Sequence, residues 1–143
     1  MHASLEVVIL PVADPDTSLR FYRDDLGFTV DVDYAPAPGF RVVQLTPAGS
    51  STSIQFGDGI TDAAPGSARG LYLVVTDLLG ARRDLLARGV VVGEIRHKDA
   101  DGGWRGDFLP GVDPARGDYA SFADIADPDG NLWTLQERGW SSS

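Results

Sequence analysis

The sequence predicts an α+β fold built from two pseudo-symmetric βαβββ modules, on three observations. β-Branched runs alternate with short amphipathic stretches. The segment Leu10-Pro11-Val12-Ala13-Asp14 is echoed by Leu73-Val74-Val75-Thr76-Asp77, and each aspartate is followed by a helical pattern that ends at a glycine, Gly27 and then Gly89. The offset is 63 residues at the aspartates and 62 at the glycines, too long and with too few copies for a solenoid.

The first strand is expected over Leu5–Val12, with Pro11 near its end because proline lacks a donor. Asp14 caps a helix that Pro15 enters, with Leu19, Tyr22 and Leu26 at helical spacing and Phe21 beside them as core. Gly27 ends it. Strands follow over Phe28–Tyr34, Phe40–Thr46 and Ser51–Phe56, separated by Pro/Gly turns. Module 5–57 leads through a Gly/Asp/Ala/Pro-rich linker, 58–68, to module 69–138. There Leu71–Val75 is a strand, Asp77 starts a helix that Gly89 ends, and Val90–Ile95 is the next strand. A polar insertion, 97–118, precedes the strands Tyr119–Ile125 and Leu132–Glu137, which Asp127-Pro128-Asp129-Gly130-Asn131 joins as a turn.

Composition narrows the chemistry. The 143 residues include no cysteine, two histidines (His2 and His97), one lysine (Lys98) and three glutamates (Glu6, Glu94, Glu137). Thiolate nucleophiles, disulfides and thiolate metal sites are excluded, and one chain cannot supply a three-histidine site. With 12 basic and 21 acidic residues the net charge is −9 and the pI about 4.4, which opposes nucleic-acid binding. The longest apolar stretch, Val7–Val12, is too short to span a bilayer, and the N-terminus lacks signal-peptide character. The expectation is a cytoplasmic protein without nucleic-acid or membrane partners.

Val12-x-Asp14, Ser18-Leu19-x-Phe21-Tyr22 and Leu26-Gly27-Phe28, together with the late Asp127-Pro128-Asp129-Gly130-Asn131 before an apolar strand, resemble the vicinal oxygen chelate superfamily of glyoxalase I, bleomycin-resistance proteins and extradiol dioxygenases. The resemblance covers Leu5 to Glu137. It implies a single glyoxalase-like domain, with curved sheets forming a cup-shaped pocket, often in a homodimer.

The resemblance also implies where a metal would be held, and this chain departs there. The family's early-strand histidine positions correspond to Val7 and Gly70, its late first-module ligand to Gln55, and its carboxylate after Asp-Pro-Asp-Gly-Asn to Thr134. Valine and glycine offer no side-chain donor, and threonine and glutamine are weak neutral ones. Glu6 and Glu137 lie at odd offsets from those places and, on strand alternation, face the other side. No metal site and no cofactor are therefore expected, with a divalent metal as the alternative.

The candidate ligand-binding residues are Gln44, Gln55 and Gln136, polar within apolar strands, and Trp104, Phe108, Tyr119, Phe122 and Trp133, aromatics suited to the wall and lid of a pocket. Core packing explains Phe122 and Trp133 equally well. His97 is the candidate general acid/base, against a solvated loop histidine. Arg41 can pair with an anionic ligand or lie on the surface. Asp14 and Asp77 read as caps, Asp127 and Asp129 as turn residues, and Asp99, Asp101, Asp107, Asp113 and Asp118 as solvated loop residues without a calcium-loop register. The expected function is binding of a small aromatic metabolite or antibiotic. The alternatives are a glyoxalase- or dioxygenase-type enzyme with a rearranged metal site, or a metal-free isomerase or lyase using His97.

Overall fold

A computed structural model describes residues 1–99 and 103–142. Among them it shows an α+β fold of two sheets and few helices. The strands are β1 (Val7–Ile9), β2 (Thr29–Ala37), β3 (Phe40–Thr46), β4 (Ser53–Asp58), β5 (Leu71–Val75), β6 (Arg96–Lys98), β7 (Phe108–Pro110), β8 (Ser121–Ala126) and β9 (Leu132–Glu137). The helices are α1 (Pro15–Arg20), continued by a π-helical turn at Phe21–Asp25, and α2 (Leu78–Ala87). The chain divides into two units, one of Met1–Ala68 with Asp127–Asn131, the other of Arg69–Ala126 with Leu132–Ser143.

In the first unit the sheet order is β1-β4-β3-β2, with β1 parallel to β4 and the other pairs antiparallel. Asp14 caps α1 as expected: its carboxylate accepts from the Asp16 amide at 3.1 Å and the Thr17 hydroxyl at 2.8 Å. The π-turn bonds Leu26 N–H to the Phe21 carbonyl at 3.1 Å. It delivers Phe21 and Tyr22 together to the interior, where Tyr22 stacks between Phe28 and Phe56, each 5.7 Å away. Val43, Leu45, Ile54 and Phe56 complete this covered face.

The Asp127–Asn131 turn carries more than turn chemistry. The buried Asp127 carboxylate accepts from the Tyr22 hydroxyl (2.8 Å), the Asn131 amide side chain (2.8 Å) and the backbone N–H groups of Asp129 and Asn131 (2.9 Å each). Asn131 also donates to the Pro11 carbonyl at 2.9 Å, and Asp129 accepts from Ala13 N–H at 3.0 Å. Gly66 packs against this turn with φ +81°, where a Cβ would meet the Asp129 carbonyl at 2.0 Å.

In the second unit the order is β5-β9-β8-β6-β7, with β5 parallel to β9 and the rest antiparallel. Helix α2 covers the face bearing Ala123, Ile125, Trp133 and Leu135. The strand expected over Val90–Ile95 is reduced to one bridge at Val92, and the strand proper is β6. Gly93 accounts for the difference. Its N–H still donates to the Asp124 carbonyl of β8 at 2.8 Å, but its carbonyl accepts from the Arg82 side chain at 2.8 Å. Among its described residues, the segment 97–118 carries the end of β6 and all of β7.

Removing the Tyr22 hydroxyl leaves one lone pair of a buried carboxylate unmatched. Tyr22→Phe is expected to lower unfolding stability by about 1–2 kcal/mol, and Asn131→Ala by about 3 kcal/mol, in urea denaturation.

Candidate functional site

Strand alternation determines what the uncovered face of the second sheet presents. Arg96 pairs with Phe122, Phe122 with Gln136, and Gln136 with Val74, forming one row across the sheet. Asp124, Thr134 and Tyr72 form the next row. On the other side of the first row, Phe108 pairs with Lys98.

These residues are linked. The Arg96 guanidinium donates to both oxygens of Asp124, at 3.1 and 3.2 Å, and the Thr134 hydroxyl donates to the same carboxylate at 2.9 Å. Arg96 also lies 4.8 Å from the Phe108 ring centre and 5.8 Å from that of Phe122. The two rings meet edge to face at 5.6 Å. The Lys98 ammonium sits 4.0 Å over the Phe108 ring and donates to the Gly106 carbonyl at 3.0 Å. Gln136 reaches the Tyr119 carbonyl at 3.1 Å, and the Tyr119 hydroxyl accepts from Arg138 at 3.0 Å. Tyr119 holds a left-handed backbone, φ +65°.

Of the residues expected from sequence, this face gathers Phe108, Phe122 and Gln136, with Tyr119 bonded at its end. Trp133 lies on the covered face, 3% exposed, within the core. Trp104 is exposed with φ +67°, and its N–H reaches the Asp99 carbonyl at 3.4 Å. His97 points opposite to Arg96 and Lys98. It is buried, pairs with Ser121, and its Nδ1 is 2.8 Å from the Gly111 carbonyl. Arg96, Lys98 and Asp124 were not singled out from sequence. The detectable signal was the alternation of two cations around His97 and of Asp124 with Phe122 in otherwise apolar strands.

Gln44 and Gln55 belong to the first unit. They pair across β3 and β4 on the uncovered face, where the Gln55 amide donates to Gln44 at 2.8 Å. Ile9, Val32, Val42 and Tyr34 surround them in register. Arg41 is on the other face, bonded to Asp33 at 2.9 Å and Asp16 at 2.7 Å. Asp101 lies outside the described residues. Asp113 and Asp118 accept from the Gly117 and Gly139 N–H groups, both at 2.8 Å.

The donor set does not fit a divalent cation. Val7 offers no donor, and Gln55 and Thr134, whose amide N–H and hydroxyl donate to Gln44 and Asp124, offer only neutral oxygens rather than an imidazole or a carboxylate. The charge of Asp124 is already matched by Arg96. Among the described residues no three His, Asp or Glu side chains come together as a ligand group.

The sequence matches the profile of the Glyoxalase/Bleomycin resistance protein/Dioxygenase superfamily over residues 4–135. The chain belongs to this superfamily. Its structure is similar to TnmS3, an antibiotic binding protein from Streptomyces sp. CB03234, at 28% identity and TM-score 0.72, covering 95% of this chain and 96% of that one. A glyoxalase/bleomycin resistance protein from the same organism is 29% identical with TM-score 0.69, covering 94% and 100%. A superfamily member from Sphaerobacter thermophilus DSM 20745 is 26% identical with TM-score 0.73, covering 96% and 98%. No curated protein matches the chain. No helix among the described residues is long and apolar enough to cross a membrane.

A second buried carboxylate supports the covered side. Glu137, fully buried, accepts from Arg116 at 2.7 and 2.8 Å and from the first amide of α2, Leu78 N–H, at 2.8 Å. Arg116 in turn lies over the Trp140 ring at 4.2 Å. Glu137→Ala strips the half-buried Arg116 guanidinium and the Leu78 N–H of their shared acceptor and is expected to cost about 2–3 kcal/mol in urea denaturation, with Glu137→Gln costing less.

On the first unit, the bond from Arg41 holds the Asp33 carboxyl below its ordinary 3.8. A depressed carboxylate contributes stability above its unfolded pKa and loses it as pH falls through the folded one. The stability gap between the protein and Arg41→Met is therefore expected to be constant above about pH 5 and to shrink below about pH 4. Solvent screening of this half-exposed pair keeps the gap near or below about 1 kcal/mol.

Proposed function

We propose that this protein binds a small organic molecule, an aromatic metabolite or antibiotic, and does so without a resident metal. The observation that carries this reading is the fate of the Thr134 position. Where the family resemblance expects a ligand carboxylate, a threonine hydroxyl is bonded to Asp124, and Asp124 is neutralised by Arg96. That arrangement disfavours a cation and leaves an aromatic and polar surface suited to an organic ligand. The likeness to an antibiotic binding protein at 28% identity over nearly the whole chain supports it.

The competing function is a glyoxalase- or dioxygenase-type enzyme with a rearranged metal site, which rests on shared fold alone. The His97 isomerase or lyase is less favoured, because that ring faces away from Arg96 and Phe122 and is held at the Gly111 carbonyl. As the resemblance implies, we take the protein to be a homodimer.

Equilibrium titration by tryptophan fluorescence against a panel of aromatic antibiotics and metabolites is expected to find a micromolar or tighter ligand. Protein purified without chelator is expected to carry substoichiometric metal and to gain no activity with nickel, zinc, manganese or ferrous iron. Binding no tighter than millimolar across the panel rejects the reading, as does a stoichiometric, activity-supporting metal.

A further inference from the structure

We propose that the uncovered face of the second sheet selects a planar aromatic ligand carrying an anionic oxygen group. Lys98 receives the charge, and the exposed Phe108, backed by Phe122, meets the ring. This rests on the small-molecule reading above and narrows it to a chemical class.

The first support is the distribution of charge. The chain carries 21 acids against 12 bases, so a random surface patch is acidic. This face runs the other way. Register and alternation bring Lys98 and Arg96 to one edge of it, with Asp124 as the carboxylate of its strand rows, and Arg138, just past β9, donates to the Tyr119 hydroxyl. Asp124 is consumed by Arg96. The Asp118 carboxylate near Arg138 accepts from the Gly139 N–H at 2.8 Å.

The second support is the state of Lys98. It is the chain's single lysine, and among the described residues its ammonium makes no ion pair. Its partners are the Gly106 carbonyl at 3.0 Å and the π face of Phe108 at 4.0 Å. Neither neutralises the charge. An ammonium has three donors, so it can keep its carbonyl contact while donating to an anion. Arg96 faces the same Phe108 ring from 4.8 Å. Two cations therefore bear on one ring while the one carboxylate beside them is bonded to Arg96 alone, and an anionic group seated beside Lys98 relieves the imbalance.

The third support is the geometry of the rings. Phe108 is 41% exposed although its neighbour Phe122 is buried beneath Arg96 and Phe108. A planar ligand can lie against the exposed part of this ring, edge to face, while its anionic substituent meets Lys98. Gln136 and Tyr119 add polar groups at the edge. A cationic or uncharged aromatic gains the ring contact but not the charge-assisted bond.

Two fluorescent probes of similar aromatic size separate the contributions: 1-anilinonaphthalene-8-sulfonate, which is anionic, and N-phenyl-1-naphthylamine, which is neutral. Titrated against the 143-residue protein, the sulfonate is expected to bind about tenfold tighter or better, and added salt is expected to weaken it selectively. Lys98→Met keeps an apolar stem of similar length. It is expected to reduce sulfonate affinity about tenfold while leaving the neutral probe unchanged and the thermal unfolding midpoint close to that of the parent. Equal affinity for the two probes, or equal weakening of both in Lys98→Met, overturns the proposal and leaves the small-molecule reading standing. Binding of neither probe, together with no ligand from the panel, overturns both.

Discussion

A single buried carboxylate, that of Asp127, organises much of what this chain does. Four hydrogen bonds converge on it from Tyr22, Asp129 and Asn131. A charge can occupy such a position only when its lone pairs are filled, so the geometry of the turn is tightly specified. The consequences spread in two directions. Toward the first unit, the turn holds the end of β1 through Pro11 and the approach to α1 through Ala13. Toward the second, β8 and β9 leave from its two ends with Ala126 opposite Leu132. That pairing fixes the register, and the register places Phe122, Asp124, Thr134 and Gln136 on one face.

The same logic appears with a different carboxylate at the far end of β9. Glu137 is buried and serves the opposite face, where it joins the start of α2 to Arg116 in the segment before β8. Thr134 and Glu137 are three residues apart, an odd spacing in a strand, and so they have separate tasks. Thr134 is bonded into the Arg96–Asp124 pair, whereas Glu137 caps a helix from the interior. One acid is spent on each face, and each is matched by an arginine. This pairing of arginine with buried or half-buried acid gives the second sheet its polar character without leaving carboxylates to gather a cation.

Much of the architecture was legible in the residues themselves. The repeat was visible in Asp14 and Asp77, and both cap helices as expected. Gly27 and Gly89 adopt left-handed backbones, φ +76° and +82°, which is why the helices stop there. The ranges Phe40–Thr46, Leu71–Val75 and Leu132–Glu137 coincide with strands. The reading slipped at Val90–Ile95, because an apolar run with a glycine inside it looks like a strand until a distant arginine claims the glycine carbonyl. Asp127 was legible as a turn residue but not as the acceptor of a tyrosine 105 positions away.

By itself, the sequence determined the local grammar: caps, turns, the alternation of strands and the twofold repeat. It also determined the chemical inventory, with no cysteine, one lysine and no histidine or acid where the family resemblance places a metal. These are properties of short windows or of counting, and they need no neighbours. Only the tertiary structure decided which face of each strand is covered. Alternation says that His97 and its neighbours Arg96 and Lys98 point oppositely, but it does not say which side the helix takes. Helix α2 lies against the side of Ala123, Ile125 and Trp133. This turns the histidine inward and leaves the two cations with Phe108 and Phe122 on the uncovered face. The partners of Arg96 and Arg116 were decided in the same way, because Asp124 and Glu137 are brought to them from distant strands that no short window of sequence contains.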